Sequence, residues 1–184
     1  MMALDRLLQR WRIRMALPFI YEGDRLLDVG CYDRSLIDLA LPRVAHAVGV
    51  DPGLDPSCDD RVELKRGIFP DDFDFGAMSF DCIAMLAVLE HVEDPDRLAA
   101  ACARILSPGG RVVLTVPHRR VDTILEALMF LRLVDGMAAE EHHGFDVDQT
   151  RSVFEGAGLS LRTERRFQLG LNRLYVFERP NGPV

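Results

Sequence analysis

The chain has 184 residues, 48% hydrophobic and 28% charged, the balance of one soluble globular domain and not of a disordered or fibrous chain. Its 22 Lys plus Arg stand against 29 Asp plus Glu, a net charge of -7, and that field repels polyanions, so no nucleic-acid partner is expected. Four widely spaced cysteines, Cys31, Cys58, Cys82 and Cys102, form no C-x-x-C pair and read as the reduced thiols of a cytoplasmic protein. No apolar run approaches the roughly 20 residues that span a bilayer, and no signal-peptide pattern opens the chain, so stable membrane insertion is not expected.

Residues 1–24 form a helical segment in which Arg6, Arg10, Arg12 and Arg14 gather around Trp11 and Ile13. This reads as the solvated face of a packed helix, with contact to an anionic membrane surface as the alternative. Arg25 to Val29 is a short apolar run closed by Gly30, and Leu36, Ile37, Ala40 and Leu41 follow at helical spacing, which predicts strand, turn and helix. Ala45 to Val50 predicts a second strand, stopped by Asp51-Pro52-Gly53, and Val62 to Lys65 a weak third. The roughly eleven residues between them are too few for a crossover helix, so an abbreviated loop is expected there.

Phe80 to Leu86 predicts a fourth strand. Acidic Glu93-Asp94-Pro95-Asp96 then opens a helix with Leu98, Cys102, Ile105 and Leu106 on one face. Ser107-Pro108-Gly109-Gly110 breaks that helix, and Arg111 to Val116 predicts a fifth strand ended by Pro117. Val121 to Val134 is apolar nearly all round, a helix that wants cover on more than one side. A core helix is the first reading, a lid or a subunit contact the others, so a homo-oligomer stays open. Asp146 with Gln149 resembles a capping box for a helix through Val147, Val153 and Phe154, and Leu159 to Phe167 and Arg173 to Arg179 should pair antiparallel. The alternation predicts an α/β, Rossmann-like doubly wound sheet in one domain over 1–184, with 25–117 and 118–184 as its two halves.

Ligands of such sheets bind beyond the carboxyl ends of the strands. Asp51 follows the second strand about 20 residues after Gly30, the spacing at which a carboxylate takes both hydroxyls of a ribose. A plain turn cap before Pro52 explains Asp51 equally well.

The segments LLDVGC (26–31), VGVD (48–51), FDCIAMLAVLEHVEDPDRL (80–98), ILSPGGRVVLTVP (105–117) and HHGFDVDQTRSVFEGAGL (142–159) occur in an order and spacing that resemble the class I S-adenosylmethionine-dependent methyltransferases. The likeness is to the small-molecule type, similar to quinone-biosynthesis O-methyltransferases, and runs from about Arg25 to Arg179. It implies seven strands in the order 3-2-1-4-5-7-6 with the last antiparallel. It also implies S-adenosylmethionine as cofactor, with S-adenosylhomocysteine as product. Asp28, Gly30, Cys31 and Tyr32 would then lie against the methionine part, Asp51 with Pro52 at the ribose, and Gly67, Ile68 and Phe69 at the adenine edge. Leu86 and Ala87 would floor the pocket.

The family's first loop reads D-x-G-x-G-x-G, whereas here Asp28-Val29-Gly30-Cys31-Tyr32-Asp33-Arg34 keeps only the first glycine. A left-handed Tyr32 would cost roughly 1–2 kcal/mol. It could instead pack over the cofactor, with Arg34 on the rim. The alternative function is therefore a methyltransferase-like domain with a degenerate loop, acting as a binding or interaction module. Methyl transfer to oxygen calls for a base only where the acceptor must lose a proton. His118, directly after the fifth strand, is the first candidate and His91 the second, ahead of His142 and His143. Some quinone O-methyltransferases carry a metal-linked E-x-x-E-H after the fourth strand. Here Ala87-Val88-Leu89-Glu90-His91 lacks the first acid, and Glu140-Glu141-His142-His143 is a run of adjacent residues that rarely converge on one ion. No metal is expected. The expected acceptor is a small molecule or carrier-held group, partly apolar, roofed by the Val121 to Val134 helix with His142 and His143.

Overall fold

A computed structural model describes residues 3–76, 78–117 and 147–182. In chain order the elements are α1 (Ala3–Ala16), β1 (Arg25–Val29), α2 (Ser35–Ala40), β2 (His46–Asp51), β3 (Ser57–Cys58), β4 (Val62–Arg66), β5 (Phe80–Leu86), α3 (Pro95–Ile105), β6 (Leu106–Pro117), α4 (Thr150–Gly156), β7 (Ser160–Phe167) and β8 (Asn172–Glu178). The sheet runs β3-β4-β2-β1-β5-β6-β8-β7. Strands β4, β2, β1, β5 and β6 are mutually parallel, and β8 lies antiparallel to both β6 and β7.

This is the expected strand order with one addition, which corrects the count from seven to eight. The abbreviated crossover after β2 folds back as β3, antiparallel to β4. Asp59 makes that turn, its carboxylate accepting the N–H groups of Arg61 at 2.9 Å and Val62 at 2.8 Å. Two further boundaries differ from expectation. Strand β6 begins at Leu106, because Phe80 pairs with Leu106 and Cys82 with Arg111, so the Ser107–Gly110 turn bulges from a continuous strand. It is held by Gly109 N–H on Arg179 O at 3.0 Å and Arg179 N–H on Gly110 O at 2.8 Å. A 3-10 turn at Val147–Gln149 delays α4 to Thr150, and Gln149 makes no side-chain cap. Asp146, the other half of the expected capping box, lies outside the described residues, as does the stretch from Val121 to Val134.

Alternation along the central strands divides their side chains between two cores. Leu27, Val29, Ile83, Met85, Val112, Leu114, Tyr175 and Phe177 face α3 and α4. Leu26, Ala47, Cys82, Ala84, Val113, Leu174 and Val176 face α1 and α2. Helix α3 starts as its acidic cluster implies, Asp94 accepting the Arg97 N–H at 2.9 Å, a cap of about 1 kcal/mol. Helix α1 buries Ile13 and Ala16 and exposes Arg6, Arg10 and Arg14, the solvated basic face expected of it.

At the amino end of the sheet a buried polar cluster ties α1's exit to the strands. The Arg111 guanidinium pairs with Asp24, donates to Phe19 O at 2.5 Å and Asp81 O at 3.3 Å, and lies 3.7 Å from the centre of the Tyr21 ring. Asp24 also accepts the Tyr21 N–H at 2.6 Å.

Candidate active site

The loop after β1 takes the shape that glycines normally provide, with other residues in two of the places. Gly30 has φ of 70°, and Tyr32 and Arg34 follow it at 48° and 57°. Gly30 itself is sterically required, since a Cβ there would come within 2.5 Å of Val88 Cγ2 beyond β5. The Asp51 carboxylate holds this loop to β2, accepting the Tyr32 N–H at 3.1 Å and the Gly53 N–H at 2.8 Å. Asp51 thus does cap the turn before Pro52, and the two readings of it are compatible. Each of its oxygens takes one N–H, while a carboxylate offers about four acceptor sites. Pro52 is exposed beside it. Behind it Gly67 N–H donates to Asp51 O at 3.3 Å, and Ile68, 57% exposed, is held by its N–H to Asp72 Oδ2 at 2.7 Å.

Asp28, the last residue but one of β1, is almost fully buried, and its Oδ2 has no hydrogen-bond partner among the described residues. Burial pushes this carboxyl well above the ordinary range, and repulsion from Asp51 and Asp33 adds to the shift. Two of the expected contact residues turn their side chains inward. Cys31 is buried, and its sulfur leaves no room for a Cβ on Gly49; the same burial raises its thiol. The Phe69 ring enters the core, its centroid 6.1 Å from that of Phe75. Leu86 closes β5 half-buried, and Ala87 follows with φ of 61° and its N–H on Thr115 O at 3.0 Å. His91 stands exposed on the one-turn helix Leu89–His91 that follows. His118, His142 and His143 lie outside the described residues, and among the described residues no three His, Cys, Asp or Glu side chains gather as a metal site.

Strain and unmet hydrogen-bonding capacity both collect at this one edge. The non-glycine residues with left-handed φ are Tyr32, Arg34, Ala87, Gln168 and Leu169 among those described, and all follow the carboxyl ends of β1, β5 and β7. Such strain persists where the surrounding structure imposes it, commonly at functional sites. The buried atoms Asp28 Oδ2, Thr115 Oγ1, Thr150 Oγ1, Asn172 Oδ1 and Arg173 Nε, which have no hydrogen-bond partner among the described residues, lie at the same end. Of these only Asp28 stood out in the sequence. Thr115 sits inside an apolar run, where the signal available was one hydroxyl among valines and leucines. Asn172 and Arg173 open the last strand, where polar residues look like a turn.

A model of the methyltransferase domain matches residues 3–164. The chain belongs to that family. Within it the relatives are of the class I, S-adenosylmethionine-dependent small-molecule type. The ubiquinone biosynthesis O-methyltransferase of Hahella chejuensis is 34% identical over 125 residues, 63% of this chain and 51% of that protein, so this methyltransferase-domain chain spans about half the length of that relative. Two solved structures share the fold. The methyltransferase bound to the Trm112 activator of Haloferax volcanii superposes with a TM-score of 0.73 at 18% identity, over 94% of this chain and 91% of its own. The N-methyltransferase NodS of Bradyrhizobium japonicum in complex with S-adenosylhomocysteine gives 0.67 at 16% identity, over 97% and 88%.

Proposed function

We propose that the chain transfers a methyl group from S-adenosylmethionine to an oxygen of a small, partly apolar acceptor, and that residues 1–184 work as one catalytic domain in the cytoplasm. The observation that carries this reading is the pairing of Asp28 and Asp51 across the Gly30–Arg34 loop. One is a buried carboxyl with an orphaned oxygen, the other a carboxylate with acceptor capacity to spare. These residues fit the cofactor's two polar ends. Asp51 would take the ribose hydroxyls, and a cationic group on the methionine part would satisfy Asp28. Exposed Ile68 and half-buried Leu86 and Ala87 supply apolar contact for the adenine and the pocket floor.

Bound there, the cofactor supplies a methyl group already activated on a sulfonium, so the protein's task is alignment and exclusion of water. Gly30 takes its left-handed φ without the strain a side chain would add, and the strained Tyr32 backbone is fixed by Asp51. His118 is proposed as the base that takes the acceptor's proton, with His91 as the second candidate. The Val121 to Val134 segment with His142 and His143 is proposed as the cover. The competing reading, a non-catalytic interaction module, has the missing glycines and the missing crossover helix as its motives, and the similarity to O-methyltransferases does not favour it.

The test is titration of S-adenosylhomocysteine into the wild-type chain and the Asp51→Ala variant. Two charge-assisted hydrogen bonds of roughly 1.5–3 kcal/mol each imply affinity at least tenfold weaker in the variant. Equal affinity would remove Asp51 from the site.

A further inference from the structure

We propose that Thr115 and Asn172 hold a hydroxyl of the acceptor separate from the oxygen that is methylated, and so select for an acceptor with a second hydrogen-bonding group. This deepens the methyl-transfer reading and rests on it.

Both residues lie on the sheet face covered by α1. Thr115 shares that face with Val113, and Asn172 shares it with Leu174 and Val176. Register pairs Thr115 with Leu174 and Pro117 with Asn172, which makes Thr115 and Asn172 diagonal neighbours, about 7–8 Å apart and within reach of one bridging group. Thr115 is fully buried and Asn172 7% exposed, yet Thr115 Oγ1 and Asn172 Oδ1 have no partner among the described residues. Folding alone would favour Val and Leu at such positions, because a buried oxygen without a hydrogen bond lowers stability.

A short relay fixes which atom Asn172 presents. The Leu8 backbone carbonyl in α1 can only accept, so Gln168 must offer it the Nε2 amide, at 3.0 Å. Gln168 Oε1 then faces Asn172 and takes its Nδ2. Asn172 Oδ1 is left as a pure acceptor whose orientation cannot flip. Gln168 is held for this task in the left-handed turn between β7 and β8, at φ of 50°. A group that satisfies Asn172 must therefore donate, and a hydroxyl that donates to Asn172 can accept the Thr115 hydroxyl proton. Adjacent strands are about 4.8 Å apart, which puts Asn172 on β8 about 10 Å across the edge from Ala87 at the end of β5. The hydroxyl held here is thus an anchor at a distance from the methyl donor.

The experiment titrates phenol and three dihydroxybenzenes, catechol, resorcinol and hydroquinone, into the protein saturated with S-adenosylhomocysteine. The wild type should bind its best dihydroxybenzene at least tenfold more tightly than phenol. Thr115→Val and Asn172→Ala should each abolish that preference while leaving S-adenosylhomocysteine affinity unchanged, and Thr115→Ser should retain it. Thr115→Val should also hold or raise the melting temperature of the ligand-free protein, which a structural hydroxyl would not allow. Three results overturn the proposal: no dihydroxybenzene preference in the loaded wild type, a preference that survives both variants, or a melting temperature several degrees lower in Thr115→Val. Failure of S-adenosylhomocysteine to load the wild type is a different result, which overturns the methyl-transfer reading itself.

Discussion

At the amino end of the sheet, Arg111 and Asp24 are buried and every side of the pair is met: by each other, by the Phe19 and Asp81 carbonyls, by the Tyr21 N–H and by the Tyr21 ring. At the carboxyl end, Asp28 is buried to a similar degree and one of its oxygens has no hydrogen-bond partner among the described residues. The same strands run through both ends, so the difference does not come from the sheet. A buried charge is tolerated when paired and costly when left alone. The amino end is built to close α1 onto the strands. The carboxyl end carries unmet oxygens and left-handed backbone, both of which a bound ligand can offset.

Breaking the satisfied end should have the largest effect. Arg111→Ala leaves Asp24 buried without its partner and should destabilise the protein by about 3–5 kcal/mol, read as a lower urea midpoint at constant slope. A loss below about 1 kcal/mol would mean that the amino-end cluster is no tighter than a surface ion pair.

Asp28→Asn tests the unsatisfied end and should move stability the other way. The folded carboxyl holds its proton to well above the ordinary value of 3.8, so between those two values the folded state binds more protons than the unfolded one. Stability contributed by this group is therefore full below about pH 4 and falls as pH rises. The amide cannot ionise, so the variant should lose that decline and gain about 1–3 kcal/mol near neutral pH. Its affinity for S-adenosylhomocysteine should drop at least tenfold. In the wild type, a ligand cation favours the ionised carboxylate, so affinity should rise with pH until Asp28 titrates in the free protein. Thermal melts and titrations from pH 5 to 8 check both signs.

Much of this was legible in the sequence. The five parallel strands and the closing hairpin follow from apolar runs cut by Gly and Pro, and the α3 start from Asp94-Pro95. Strand β3 was not legible, because two exposed polar residues have no periodicity and pair only once Asp59 has made the turn. Asp51 was legible by spacing, though its bonds to Tyr32 and Gly53 were not, since they depend on β1 and β2 lying side by side. Thr115 and Asn172 are 57 positions apart in the chain and become neighbours only through the β6–β8 register. Motif position points to Cys31 and Phe69, but it locates a backbone and not the direction of its side chain.

A smaller effect comes from relaxing the loop itself. Tyr32→Gly with Arg34→Gly should relieve roughly 1–2 kcal/mol of left-handed strain per residue, offset in part by the entropy glycine adds to the unfolded chain. The net should be a melting temperature raised by a few degrees and somewhat tighter S-adenosylhomocysteine binding. Looser binding in the double variant would make Tyr32 or Arg34 a contact residue.

The most direct measurement leaves the protein untouched and changes the ligand. Calorimetric titration of the wild-type chain with S-adenosylhomocysteine, and with its analogue lacking the ribose hydroxyls, asks whether the carboxyl edge takes the cofactor through Asp51. The expected result is one saturable site for the first ligand and at least tenfold weaker binding for the second. No saturable heat, or equal affinity for the two, would contradict it.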